Sequence, residues 1–195
     1  MLDALAHLAA ALSTILAPTV ALTFDDGPSR ASGEILDILT DHEAVGTFFV
    51  VGDQIPGREG QVTDLVEAGM SVQWHSASHP DLRTLSAGQI ADQLTLPESL
   101  LEAGASPSCL RPPYGSVDDR VRALADEAGL EVVLWDVDPR DWEAKEPAQV
   151  VDAVISDLSP GSVVLLHDRP LTARALPDLL REIEVLGYRT VLLCD

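Results

Sequence analysis

TVALTFDDGPS, residues 19–29, opens as an aliphatic and β-branched run and stops on two adjacent carboxylates, Asp25 and Asp26, ahead of a Gly-Pro turn. Residues 19–24 have the composition of a buried strand. Two acids side by side repel each other, and at a strand end their side chains diverge, so the pair contributes little to structure by itself. Asp26-Gly27-Pro28 taken alone is adequate turn chemistry. Any further role for the carboxylates has to be read from the rest of the chain.

Working outward, the same rhythm repeats. Strands are predicted over residues 19–24, 46–51, 70–74, 108–110, 131–135, 162–166 and 188–193. Amphipathic patterns at helical spacing fall between them, over 30–40, 59–68, 86–103, 117–128, 147–158 and 173–186, with Pro97 breaking or kinking its segment. Alternating strands and helices predict parallel pairing through right-handed crossovers, hence an α/β barrel or a doubly wound sheet in one domain. The unusual polar clusters FDDGP, HSASH, RPPYG, DVDPRDW and HD each follow a predicted strand. In parallel α/β folds those ends face one mouth, so the clusters should converge there.

The first 18 residues, MLDALAHLAAALSTILAP, carry Leu2, Leu5, Leu8, Leu12, Ile15 and Leu16 at helical spacing and close on Pro18. They contain Asp3 and His7 and lack a basic leader region, which favours a helix over 2–16 packed on the domain rather than a signal sequence. The expected organisation is a helical segment over 1–18 and a domain over 19–195. No apolar run is long enough to span a bilayer.

The formal charge of −20 comes from 32 acids against 12 bases. Such a field repels phosphate backbones and anionic lipid, and tolerates a neutral or cationic ligand. Cys109 and Cys194 lie far apart and form no CxxC pair. They could bridge, but two free buried thiols are the first expectation.

His75 and His79, spaced i and i+4, are expected on one face of a helical turn. An Asp from another strand end would complete a two-histidine, one-carboxylate metal site with an open position. His167 follows four aliphatic residues. It reads as a core-edge histidine bonded to backbone or as a catalytic group, with Asp141 or Asp168 placed to orient it. In RPPYG the prolines stiffen the loop, so the Tyr114 amide is presented at a fixed position and Arg111 can partner a carboxylate.

Taken together and in order, TFDDGP, HSASH, RPPYG, DPRDW and LLH resemble the five motifs of the polysaccharide deacetylases of the NodB-homology type, carbohydrate esterase family 4. The resemblance implies a distorted (β/α) barrel of seven or eight parallel strands, to which the helix read over 2–16 is added. It implies a divalent metal, usually Zn2+ with Co2+, Ni2+ or Mn2+ as alternatives, and an acetylated glycan as substrate. An extracellular or cell-wall location follows from it; the sequence does not encode an oligomeric state legibly, and a monomer is the expectation. Carried over by position, Asp25 is the general base and Asp26, His75 and His79 are the metal ligands. Arg111 holds Asp25, the Tyr114 amide binds the oxyanion, Asp141 orients His167 as general acid, and Trp142 with Leu165 walls the acetyl-methyl pocket. Trp74 departs from the pattern, which commonly has a small polar residue there, and its ring is expected to narrow the mouth or displace a supporting contact. The activity implied is N-deacetylation of peptidoglycan or chitin-type glycans. Alternatives are an acetylxylan esterase, a catalytically silent carbohydrate-binding barrel, and a non-haem iron oxygenase, the last disfavoured by the α/β alternation.

Overall fold

The computed structural model describes residues 17–194. The helix expected over residues 2–16 lies outside that range. Seven strands are present: β1 (Thr19–Gly27), β2 (Thr47–Val50), β3 (Ser71–Trp74), β4 (Cys109–Leu110), β5 (Glu131–Val132), β6 (Ser162–His167) and β7 (Arg189–Thr190). All pair in parallel in the order β5-β4-β3-β2-β1-β6, with β7 against the start of β1. Helices α1 (Ser32–Asp41), α2 (Glu59–Glu67), α3 (Ala87–Leu94), α4 (Glu98–Glu102), α5 (Asp119–Glu127), α6 (Pro147–Asp157) and α7 (Pro170–Val185) form the crossovers. Pro97 divides the predicted 86–103 helix and stands at the N-cap of α4, where its missing N–H costs nothing.

Two predicted strands, over 131–135 and 188–193, are reduced to Glu131–Val132 and Arg189–Thr190. After Val132 the chain leaves β4; Asp136 and Val137 donate to Val163, and Val137 forms a lone parallel bridge with Val164. The seven-stranded ladder is therefore unclosed between β5 and β6, where an irregular segment held to β6 by that lone bridge fills the gap of a distorted barrel. Residues 191–194 leave the β7 ladder to run under the barrel.

Strand alternation divides the side chains into two sets. Phe24, Phe48, Val50, Val72, Trp74, Leu110, Val164 and Leu166 join the helices in one apolar core. Thr23, Asp25, Thr47, Ser71, Gln73 and Arg111 are buried on the opposite, inner face. Trp74 is fully buried in the outer core, with its Nε1–H donating to the Gln93 carbonyl at 3.0 Å. The expectation that its ring narrows the mouth is thus corrected: one residue before His75 on a pleated strand, it faces the other way.

At the floor, where the strands begin, the C-terminal segment crosses beneath β2 to β4. The Leu193 N–H donates to Thr47 Oγ1 at 2.9 Å, and the Ser71 hydroxyl donates to the Leu193 carbonyl at 3.2 Å. Gln73 donates to the Cys194 carbonyl and accepts from the Ser108 and Cys109 amides. A Cys109–Cys194 disulfide pins the segment, with Cα atoms 6.1 Å apart. The expectation of free thiols is corrected: the crossing brings together two residues that are 85 apart in sequence, which local sequence could not show. No helix among the described residues is long and apolar enough to cross a membrane.

Candidate active site

β1 continues past Phe24 because Asp25 pairs on both sides, with Phe49 of β2 and His167 of β6. The register then shifts between Asp25 and Gly27, and Asp26 takes a left-handed φ of 69°. This bulge re-aims the second carboxylate. Asp25 points into the barrel, where Arg111 Nη1 donates to its Oδ1 at 2.8 Å, while Asp26 sits at the rim. The neighbouring acids therefore have separate environments.

Arg111 is fully buried. Its Nη1 also donates to Thr23 Oγ1 at 2.6 Å, its Nη2 to the Leu134 carbonyl at 3.0 Å, and the guanidinium lies 4.1 Å from the Phe49 ring centroid. Burial, hydrogen bonds and stacking fix it as the cation behind Asp25.

His75 and His79 do not occupy a helical turn. Residues 75–79 form an open loop with positive φ at Ser76 and His79, correcting the helical expectation. The Ser76 hydroxyl accepts the His79 N–H at 3.0 Å and holds the turn. His75 Nδ1–H donates to the Arg111 carbonyl at 2.6 Å, which leaves Nε2 free for a ligand bond. Burial is the largest influence on His75 and lowers its pKa, favouring the neutral ring that ligation requires.

Asp26 Oδ1 lies 3.3 Å from His79 Nε2 and 3.6 Å from His75 Nε2. Two donors on a tetrahedral ion at about 2.1 Å are roughly 3.4 Å from each other, so these separations fit one divalent cation. Asp26, His75 and His79 form the group whose ligand atoms all lie within 4.8 Å of one another.

Across the mouth, His167 Nδ1 and Asp141 Oδ1 are 2.6 Å apart, and Asp141 Oδ2 accepts from the His167 N–H and the Thr172 hydroxyl. That arrangement leaves His167 Nε2 toward the cavity. Burial, the largest influence, lowers the His167 pKa. The Asp141 hydrogen bond and charge, with help from Asp25 and Asp26, outweigh it, and the net shift is upward. Asp168, the other candidate to orient His167, turns away: its carboxylate accepts from Ser32 at 2.5 Å and Ser29 at 2.8 Å, and burial raises its pKa.

A cavity of about 520 Å³ is lined by Asp25, Asp26, His75, His79, Tyr114, Trp142, Leu165 and His167. Arg111 and Asp141 lie behind it and position what faces it. Tyr114 has φ 61°, and its ring, 71% exposed, meets the His79 ring edge-on at 4.7 Å. The loop's own hydrogen bonds begin one residue later, with the Gly115 N–H on the Pro112 carbonyl. Trp142 packs edge-on against His167, ring centroids 5.2 Å apart. Trp135, Asp138 and Arg169 also line the cavity and were not singled out in the sequence. Trp135 was hidden in a predicted strand. Arg169, two residues after His167, could have been found by continuing the strand's period.

A profile of the polysaccharide deacetylases matches residues 14–133. A chitooligosaccharide deacetylase of Sinorhizobium fredii is 38% identical over 156 residues, covering 78% of this chain and 73% of that protein. The peptidoglycan-N-acetylmuramic acid deacetylase PdaC of Bacillus subtilis is 35% identical over 176 residues; the match covers 88% of this chain but only 37% of PdaC. Among solved structures, a family 4 carbohydrate esterase from Streptomyces lividans in complex with acetate superposes with a TM-score of 0.85 at 33% identity, covering 90% of this chain and 92% of that one. The chain belongs to the polysaccharide deacetylase family.

Proposed function

We propose that this chain is a metal-dependent carbohydrate N-deacetylase that releases acetate from N-acetylglucosamine-containing glycans of the peptidoglycan or chitin type. The observation that carries this reading is one cavity with three metal-ligating side chains, an Arg-held carboxylate and an Asp-held imidazole on its wall. Asp26, His75 and His79 would hold the cation. Two imidazoles and a carboxylate suit Zn2+, with Co2+, Ni2+ or Mn2+ as substitutes. When bound there, the cation supplies Lewis-acid polarisation and a lowered water pKa.

The remaining work falls to the chain itself. Asp25 accepts a proton from the attacking water as its oxygen bonds to the acetyl carbonyl carbon. The Tyr114 amide N–H donates to the oxygen on which negative charge develops. His167 gives its Nε2 proton to the nitrogen as the C–N bond breaks, so that an amine departs and acetate remains. An amide anion is a very poor leaving group, which is why a raised His167 pKa suits this step. Asp141 keeps the imidazole in position, and Trp142 with Leu165 walls the space for the acetyl methyl.

The catalytic domain spans 19–195, with 1–18 as an added N-terminal segment. The proposed oligomeric state is a monomer. A disulfide supports an oxidising, extracellular or cell-wall location. Metal analysis beside acetate release from acetylated chito-oligosaccharides and peptidoglycan strands tests the reading. Stoichiometric metal with acetate release is expected. Full metal and no acetate from any glycan would favour a binding barrel.

A further inference from the structure

The cavity's lining is acidic, with Asp25, Asp26 and Asp138, and Arg169 is the one cation among the described lining residues. Each neighbouring arginine is engaged: Arg111 is buried on Asp25, and Arg140 is paired with Glu143 and lies 5.2 Å from the Trp142 ring centroid. Arg169 is exposed and makes no ion pair or side-chain hydrogen bond with any described residue. Its backbone is extended, φ −141° and ψ 152°, so alternation continues from β6. His167 and Arg169 then share the cavity side, while Asp168 between them faces Ser29 and Ser32.

A neutral glycan gives an unpaired guanidinium only uncharged acceptors, its hydroxyl, ring and acetamido carbonyl oxygens. A carboxylate gives it a charge-assisted, bidentate partner. The −20 field acts over distance and is screened within about 10 Å at 0.1 M salt, whereas a contact pair at the cavity wall is set by local groups.

We propose that Arg169 forms an anion subsite that recognises a carboxylate on the glycan beside the acetamido group under attack, and so favours acidic strands over neutral ones. This rests on the deacetylase reading for its substrate class. Two sources carry that chemistry: the lactyl carboxylate of a muramic acid residue, and the carboxylates of an attached peptide.

The test compares wild type with Arg169→Gln and Arg169→Glu, all metal-loaded, on neutral chito-oligosaccharides and on peptide-free N-acetylglucosamine–N-acetylmuramic acid oligomers of equal length. Two further substrates are the same oligomer with its carboxylate converted to a neutral amide and one bearing stem peptides. Arg169→Gln should raise the ratio of KM for acidic over neutral oligomer by roughly fivefold, as for a part-exposed charged contact, and Arg169→Glu by more. Amidation or added salt should shrink the wild-type preference in the same direction. If only the peptide-bearing strand responds, the anion is the peptide's. A ratio that neither variant moves for any acidic strand overturns the proposal. Calorimetric Kd values for the same oligomers give the ratio without turnover. If wild type releases no acetate at all, the deacetylase reading fails while the Kd ratio still decides the subsite.

Discussion

The two ends of the barrel interior are both polar, yet they differ in how their polar groups are used. At the floor, Thr47, Ser71 and Gln73 meet the amide of Leu193 and the carbonyls of Leu193 and Cys194, and the disulfide locks the crossing. At the mouth, His75, Asp26 and His79 each keep a ligand atom aimed at a common point, and His167 keeps Nε2 open. Of the seven non-glycine residues with positive φ among the described residues, five lie at the mouth: Asp26 in the bulge of β1, and Ser76, His79, Tyr114 and Arg140 in loops. Such conformations cost about 1 kcal/mol or more each and persist where surrounding structure enforces them. Saturated hydrogen bonding at one end stabilises; strained, unsaturated geometry at the other leaves groups available for chemistry. The two ends should therefore fail differently when altered.

The largest effect is expected at the proposed metal-ligating groups. Asp26→Asn, His75→Ala or His79→Ala should lower metal affinity by about 10-fold or more and abolish most activity, with the melting temperature of the metal-free protein nearly unchanged. Dialysis against a chelator followed by metal titration reads this directly. Unchanged metal affinity in any of the three would remove that residue from the ligand set.

A smaller loss is expected at the acid side. In its proposed role His167 must be protonated to act, so activity should be present below its pKa and fall as pH rises through it. Because that pKa is raised, the alkaline limb of the rate profile should lie above the ordinary imidazole value. Asp141→Asn removes the largest raising influences and leaves burial, which lowers the pKa, opposed only by the charges of Asp25 and Asp26, so the limb should move to lower pH. His167→Ala should keep metal and harm amide hydrolysis more than ester hydrolysis.

At the floor the sign reverses. Replacing both Cys109 and Cys194 by Ser opens a loop 85 residues long and should cost about 2–4 kcal/mol of stability, read by denaturant titration. Activity per folded molecule should remain near wild type. A floor variant that lost turnover without losing stability would break the contrast. The smallest effect concerns charge: the deacetylated, cationic product should inhibit less as ionic strength rises, because salt screens the −20 field.

The sequence was informative where signals are local. Strand cores such as TVALTF and SVVLL read out from composition and period, and the polar clusters marked strand ends facing one mouth. It was silent where geometry is set from a distance. The i, i+4 spacing of His75 and His79 mimics a helix, but a turn held by the Ser76 hydroxyl and two positive φ values presents both rings without one. The Cys109–Cys194 pairing depends on a crossing that exists only after the barrel forms. Trp74 was misplaced because its motif position was weighed and its strand parity was not. Trp135 and Arg169 lie outside the quoted motifs, and Asp138 opens DPRDW without a role assigned to it; they reach the cavity through the irregular closure and the extension of β6.

The central claim is that Asp25 and Asp26, adjacent in sequence, have separate tasks because Arg111 holds one inside while the bulge turns the other toward the histidines. Metal content and acetate release measured side by side on Asp25→Asn test it most directly. The account predicts metal occupancy near wild type with acetate release lower by about 10²-fold or more, the range for a lost general base. Loss of metal from Asp25→Asn, with metal retained in Asp26→Asn, would contradict it.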